Sequence, residues 1–267
     1  GTLQWNTFHG GTSHDYGLGI ALDPYGGLYV TGQCQTTWGT PLNPYSGGKD
    51  MTVVKLNAGT GVLAWNTFFG QAGTDEGLAI AFGGEDIVAV AGRSAGTWGT
   101  PLNPHAGSMD GVLAALQPDG TFIGHAFIGG TGSDGCYAVA LAKDGAIYVG
   151  GSSAVGWGNP DVPFSGGGLD GFVIRLGADG KIQAHAFVGG TGSDGLNALA
   201  LDANRGFFAA GTSETNWGDP ISAFGGPFDG YVLRSAFMPE TLARHAVGDF
   251  DGDGADEAAV DLGSTGL

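Results

Sequence analysis

Lysine and arginine are scarce in this chain: 9 in 267 residues, against 26 aspartates and glutamates, for a formal net charge of −17 at pH 7. So few cations leave no basic patch to neutralise phosphates, which excludes nucleic acid as a partner. The acidic excess suits an extracellular, salt-tolerant surface or cation binding, and equally a need for solubility alone. Cysteine is nearly absent. Cys34 and Cys136 fall at non-equivalent places in the repeats described below, which predicts two buried free thiols and no disulfide. No apolar run approaches the roughly 20 residues of a membrane-spanning helix, so no membrane span is expected. No segment has a helical period either. No signal peptide is visible, and the chain opens at Gly1 inside a repeat, so an upstream segment is expected to have been removed.

Glycine is abundant, with 55 residues, yet 42% of the chain is hydrophobic. A disordered Gly-rich chain lacks that apolar content, so glycine here punctuates many short strands. The strands recur. Trp5-Asn6-Thr7-Phe8 returns as Trp65-Asn66-Thr67-Phe68, and His125-Ala126-Phe127 and His185-Ala186-Phe187 open the next copies, each 60 residues on. Fixed-period repetition decides architecture before local reading does. The copies span about 5–64, 65–124, 125–184 and 185–243.

Each copy reads as four strands. In the first they cover 18–22, 27–31, 50–56 and 62–69, with the turns Asp23-Pro24-Tyr25-Gly26 and Asn57-Ala58-Gly59-Thr60-Gly61 and a long loop through Trp38-Gly39-Thr40-Pro41. The later first strands alternate Ala79, Ala81, Ala138, Ala140, Ala198 and Ala200 with Ile80, Val139 and Leu199, as expected where sheets converge on an axis. The reading is all-β: a β-propeller of four-stranded blades, strands A to D from the axis outward, with four blades over 1–243. Residues 1–9 are expected to supply an outer strand that closes the ring beside 229–234, because Pro239 interrupts the fourth copy's own outer strand. Pairing of that strand with a neighbouring subunit, building a homo-oligomer or filament, is the alternative. Residues 244–267 read as a separate hairpin or as half of a fifth blade.

The run Gly129-Gly130-Thr131-Gly132-Ser133-Asp134-Gly135, the strand Ile20-Ala21-Leu22-Asp23, Tyr29-Val30-Thr31-Gly32, and Asp50 through Lys55-Leu56 resemble the bacterial propeller repeat called the SBBP repeat. The resemblance covers about 5–243. It implies a propeller and a secreted or cell-surface setting, without a shared reaction.

Asp249-Phe250-Asp251-Gly252-Asp253-Gly254-Ala255-Asp256-Glu257 is the sharpest motif. Carboxylates at Asp249, Asp251, Asp253 and Glu257, with the Ala255 carbonyl, can wrap one hard cation, and calcium takes six to eight oxygens. The motif resembles the calcium loop of FG-GAP (integrin-type) repeats, with Glu257 where Asp is usual; otherwise it is an acidic turn. Asp15, Asp75, Asp134 and Asp194 recur in the Gly-rich D–A loops, and Asp50, Asp110, Asp170 and Asp229 at the start of strand C. They read as caps for turn N–H groups or as metal or catalytic groups. Trp38, Trp98, Trp157 and Trp217 recur in the B–C loops, on the same propeller face as the D–A aspartates. They read as loop-packing residues or, with those aspartates, as a sugar-binding face. No nucleophile–base pair stands out. The functional expectations are a secreted, non-enzymatic structural or adhesive module, a carbohydrate-binding propeller, and a propeller hydrolase or lyase.

Overall fold

The computed structural model describes residues 1–83, 86–202 and 206–237 and the short strands at 247–248 and 257–258. Every described element is a strand. The first blade is β1 (Asp15–Leu22), β2 (Gly27–Cys34), β3 (Asp50–Asn57) and β4 (Leu63–Phe69). The second is β5 (Asp75–Gly83), β6 (Ile87–Ser94), β7 (Asp110–Leu116) and β8 (Phe122–Ile128). The third is β9 (Asp134–Leu141), β10 (Ile147–Ser153), β11 (Asp170–Leu176) and β12 (Ile182–Val188). Each is an antiparallel sheet in sequence order. β13 (Asp194–Leu201), β14 (Gly206–Ser213) and β15 (Asp229–Ala236) make a three-stranded fourth blade, and β16 (Val247–Gly248) pairs with β17 (Glu257–Ala258). The architecture is that of β-propeller blades. Among the described residues no helix is long and apolar enough to cross a membrane.

In the first blade tight turns join strands A and B and strands C and D, and an Asp or Asn side-chain oxygen holds the turn N–H groups: Asp23 accepts from Tyr25 and Gly27, and Asn57 from Gly59 and Thr60. In every blade a bulge shifts the register of strand A against strand B, between Gly17 and Gly19, Gly77 and Ala79, Cys136 and Ala138, and Leu196 and Ala198. The strand-B residue facing the bulge is always glycine. A Cβ at Gly32, Gly92, Gly151 or Gly211 would lie 1.7, 1.8, 1.9 or 1.9 Å from the carbonyl oxygen of Tyr16, Glu76, Gly135 or Gly195.

The cores lie between blades. Tyr29, Met51 and Val53 of the first blade pack on Ile80, Val88 and Val112 of the second. Ala89, Ala91 and Leu113 pack on Val139, Val149 and Phe172 of the third, and Ala138, Tyr148 and Val173 on Leu196, Phe207 and Ala209 of the fourth. Main-chain bonds stitch the junctions: the Asp75 N–H donates to Lys49 at 2.7 Å and the Asp134 N–H to Met109 at 2.7 Å. No cluster joins the first blade to the fourth among the described residues.

Two expectations are corrected. Residues 1–14 form no strand, and β15 pairs only with β14 among the described residues, so residues 1–9 do not close the fourth sheet. Trp5 holds the segment on the first blade instead. Its Nε1–H donates to the Ala58 carbonyl at 3.0 Å, as Trp65 donates to Pro118 at 3.2 Å in the second blade. His125 and His185 do not take the Trp65 position. They pair with Ala114 and Ile174, where Asn66 pairs with Val54, so they stand one residue further along the strand. The first C–D turn, 57–61, is one residue longer than its counterparts at 117–120 and 177–180, which offsets the simple 60-residue count.

Candidate functional site

The register brings strand A's first residue, strand B's last and strand C's first together at one end of each blade. Asp15 faces Cys34, which faces Asp50; the same row reads Asp75–Ser94–Asp110, Asp134–Ser153–Asp170 and Asp194–Ser213–Asp229. The B–C and D–A loops leave from this end, so the predicted aspartates and tryptophans do share a face. The central Ser or Cys was not singled out from the sequence, although the endings Gly92-Arg93-Ser94, Gly151-Ser152-Ser153 and Gly211-Thr212-Ser213 carry the signal.

All eight aspartates bind main chain. One carboxylate oxygen of each accepts an N–H from the loop just before it: Gly11 on Asp15, Gln71 on Asp75, Gly130 on Asp134 and Gly190 on Asp194, at 2.8 to 3.0 Å. Ser46, Ala106, Ser165 and Gly225 serve Asp50, Asp110, Asp170 and Asp229 in the same way. Most are fully buried, and the second oxygens of Asp15, Asp50, Asp134, Asp170 and Asp194 have no protein partner. Burial raises the carboxyl pKa of Asp75, Asp134 and Asp170, and holds Asp50 at about 6, the neighbouring Asp75 charge adding to it.

The tryptophans pack on their own blades, and Trp98 also stacks on Phe69 of the first blade at 6.0 Å. Trp98 stacks on His125 at 3.8 Å and 4°, and Trp157 on His185 at 3.9 Å and 22°. His125 Nε2 also bonds the Trp98 carbonyl at 2.8 Å, the place that the Asn66 amide takes on Trp38 at 3.0 Å. Trp217 meets Tyr231 edge-on at 5.1 Å. Indole N–H groups donate to Cys34 Sγ from Trp38 and to Ser213 Oγ from Trp217. Both cysteines are free and buried. Burial pushes the Cys34 thiol up to about 12 and the Cys136 thiol well up, so neither is an activated nucleophile. Burial lowers the pKa of His125 and holds His185 at about 4, leaving both rings neutral at pH 7.

An open groove of about 650 Å³ follows β12 along the fourth blade, lined by Trp217, Phe187, Phe207 and Leu233 with Asp161 and Gln183 as polar groups. Asp249, Asp251, Asp253 and Ala255 of the predicted cation loop lie outside the described residues. Of Glu257 only its main-chain place in β17 is described, opposite Gly248 in β16.

No family model matches the chain, and no curated protein matches it. BamB from Moraxella catarrhalis, a solved structure, overlaps 73% of this chain and 82% of its own at 15% identity, with a TM-score of 0.25. An overlap that loose carries no argument. The blade architecture rests on the strand pairing itself.

Proposed function

We propose that this chain is a non-enzymatic structural or adhesive β-propeller module working outside the cell. One observation supports it most: the repeated polar residues of the loop face are committed to the fold. Each aspartate holds a main-chain N–H, and the tryptophans are packed or bonded within their blades or, for Trp98, also onto the preceding one. A propeller active site draws unlike side chains from different blades into one constellation, whereas here each blade repeats the same contacts. A screen of saccharide, ester and phosphate substrates is expected to show no turnover. Turnover that disappears on Asp110→Asn would overturn the reading.

A carbohydrate-binding role is the second reading, favoured by the aromatic groove beside Trp217 with its flanking Asp161 and Gln183. It predicts binding on a glycan array that Trp217→Ala removes. Binding that survives Trp217→Ala places the sugar elsewhere.

Calcium belongs to the same proposal. Asp249, Asp251, Asp253, Glu257 and the Ala255 carbonyl are hard oxygen donors at cation-loop spacing, and the β16–β17 pairing ties together the two ends of that loop. The ion would be structural. A ligand held at 100 times its Kd stabilises the folded state by about 2.7 kcal/mol. Chelator is therefore expected to lower the cooperative melting temperature, or that of the tail if it unfolds separately. Asp251→Ala should melt like chelated wild type and ignore chelator. Identical wild-type melts with and without chelator would reduce the loop to a turn.

A further inference from the structure

The two ends of the blade array carry the two halves of the junction that the chain builds three times within itself. At each internal junction one blade presents its trailing face, from strands B and C, to the leading face of the next, centred on strand A. On the trailing side Tyr29 and Val53 of the first blade are both 0% exposed beneath the second. Their counterparts in the fourth blade, Phe208 and Val232, are 42% and 78% exposed. On the leading side Ile80 and Val139 are 7% and 9% exposed, and their counterpart Ile20 in the first blade is 67% exposed. Leu18 and Leu22 are exposed beside it. Apolar faces left open in this way mark interaction surfaces.

The outer strand makes the same point. The segment from Trp5 to Phe8 lies on the first blade where the outer strand of a preceding blade would run, because Trp5 grips Ala58 as Trp65 grips Pro118. Phe8 is 93% exposed, whereas Phe68, its repeat partner, is 0% exposed within its own sheet. This segment, which forms no strand in the single chain, therefore lies where an outer strand would run, with no A–B–C sheet beside it among the described residues. The fourth blade is an A–B–C sheet, with no outer strand among the described residues.

We propose that the chain associates head to tail with a second copy, the trailing face of one molecule's fourth blade docking on the leading face of the other's first blade, where residues 3–8 complete its sheet. The occupant follows from continuity with an existing interface. The docked pair repeats the junction of Tyr29 and Val53 with Ile80, now as Phe208 and Val232 with Ile20. The contact is heterologous, using different patches on the two molecules, so an open assembly of any length keeps one free face of each kind until the array closes. The inference rests on the scaffold reading and names its partner.

Sedimentation and light scattering of the full chain test it with Ile20→Asp and Val232→Asp. Both sites are exposed in the single chain, so both variants should keep the wild-type melting temperature of the dissociated chain. Wild type is expected to associate with rising concentration. Each variant alone should be monomeric. An equimolar mixture should form a heterodimer, since one intact face of each kind remains. Wild type that stays monomeric, variants that associate as wild type does, or a mixture that stays monomeric would overturn the proposal. Such a failure leaves the scaffold reading standing, whereas turnover in the substrate screen overturns that reading without touching association.

Discussion

Gly92→Ala is expected to leave the chain unable to hold its second blade, while Gly124→Ala leaves it as stable as wild type or slightly more so. At Gly92 the added carbon would sit 1.8 Å from the Glu76 carbonyl oxygen and 3.2 Å from the Gly77 Cα, all backbone, with no flexible side chain to give way. Relief requires β5 and β6 to separate at their bulge, and β5 carries Ile80 into the core between the first two blades. Ordinary overpacking costs about 1–3 kcal/mol by forcing side chains off their rotamers. Displacing paired main chain adds broken ladder hydrogen bonds, so about 3 kcal/mol or more is expected. For a domain of this size each kcal/mol moves the melting temperature by roughly 2–4 °C. At Gly124, also within a strand, nothing lies within 4 Å of the added carbon. Replacing a strand glycine there removes the usual entropic penalty of about 0.5–1 kcal/mol. Thermal melts of the two variants decide the matter. A Gly92→Ala protein melting within about 3 °C of wild type would show that the bulge is not what requires glycine.

This contrast marks how much was legible in the sequence. The period and the number of strands per blade were readable, because repetition magnifies weak local signals. Glycine read as punctuation is right at Gly61 and Gly120, which turn with φ of 70° and 90°. It is wrong at Gly32, Gly92, Gly151 and Gly211, whose cause is a carbonyl on another strand. Likewise the recurrence of Asp15, Asp75, Asp134 and Asp194 was visible, but which N–H each holds depends on loop closure. The 60-residue count set His125 in the Trp65 position because counting cannot see a turn that is one residue longer. Residues 1–9 read as an outer strand closing the fourth blade, yet residues 1–14 form no strand. Where such a segment lies is decided by contacts such as that of Trp5 with Ala58, 53 residues away.

Acidification should destabilise the wild-type chain through His185, and His185→Asn should remove that part of the loss. The ring is 3% exposed, stacked on Trp157 and flanked by Phe172 and Phe187, none of which carries charge. Burial alone lowers its folded pKa from 6.5 to about 4. The sign follows from proton binding. Between pH 6.5 and about 4 the unfolded histidine takes up a proton that the folded one refuses, so stability falls as pH falls through that window and levels off below it. A shift of this size corresponds to about 3 kcal/mol between pH 7 and pH 4, at 1.36 kcal/mol per pKa unit. Asp50 acts oppositely. Its folded pKa of about 6 lies above the unfolded 3.8, so the folded state holds the extra proton and stability falls as pH rises between those values. The wild-type profile therefore mixes both slopes, and only the difference between wild type and variant isolates the histidine. Asparagine is the apt replacement because Asn66 already fills the same place in the first blade. Denaturant unfolding at pH 7 and pH 4 should show His185→Asn gaining about 3 kcal/mol on wild type as the solution is acidified. Parallel stability curves for the two proteins would mean that the His185 ring reaches water or a partner in solution, and that stacking on Trp157 does not keep it neutral.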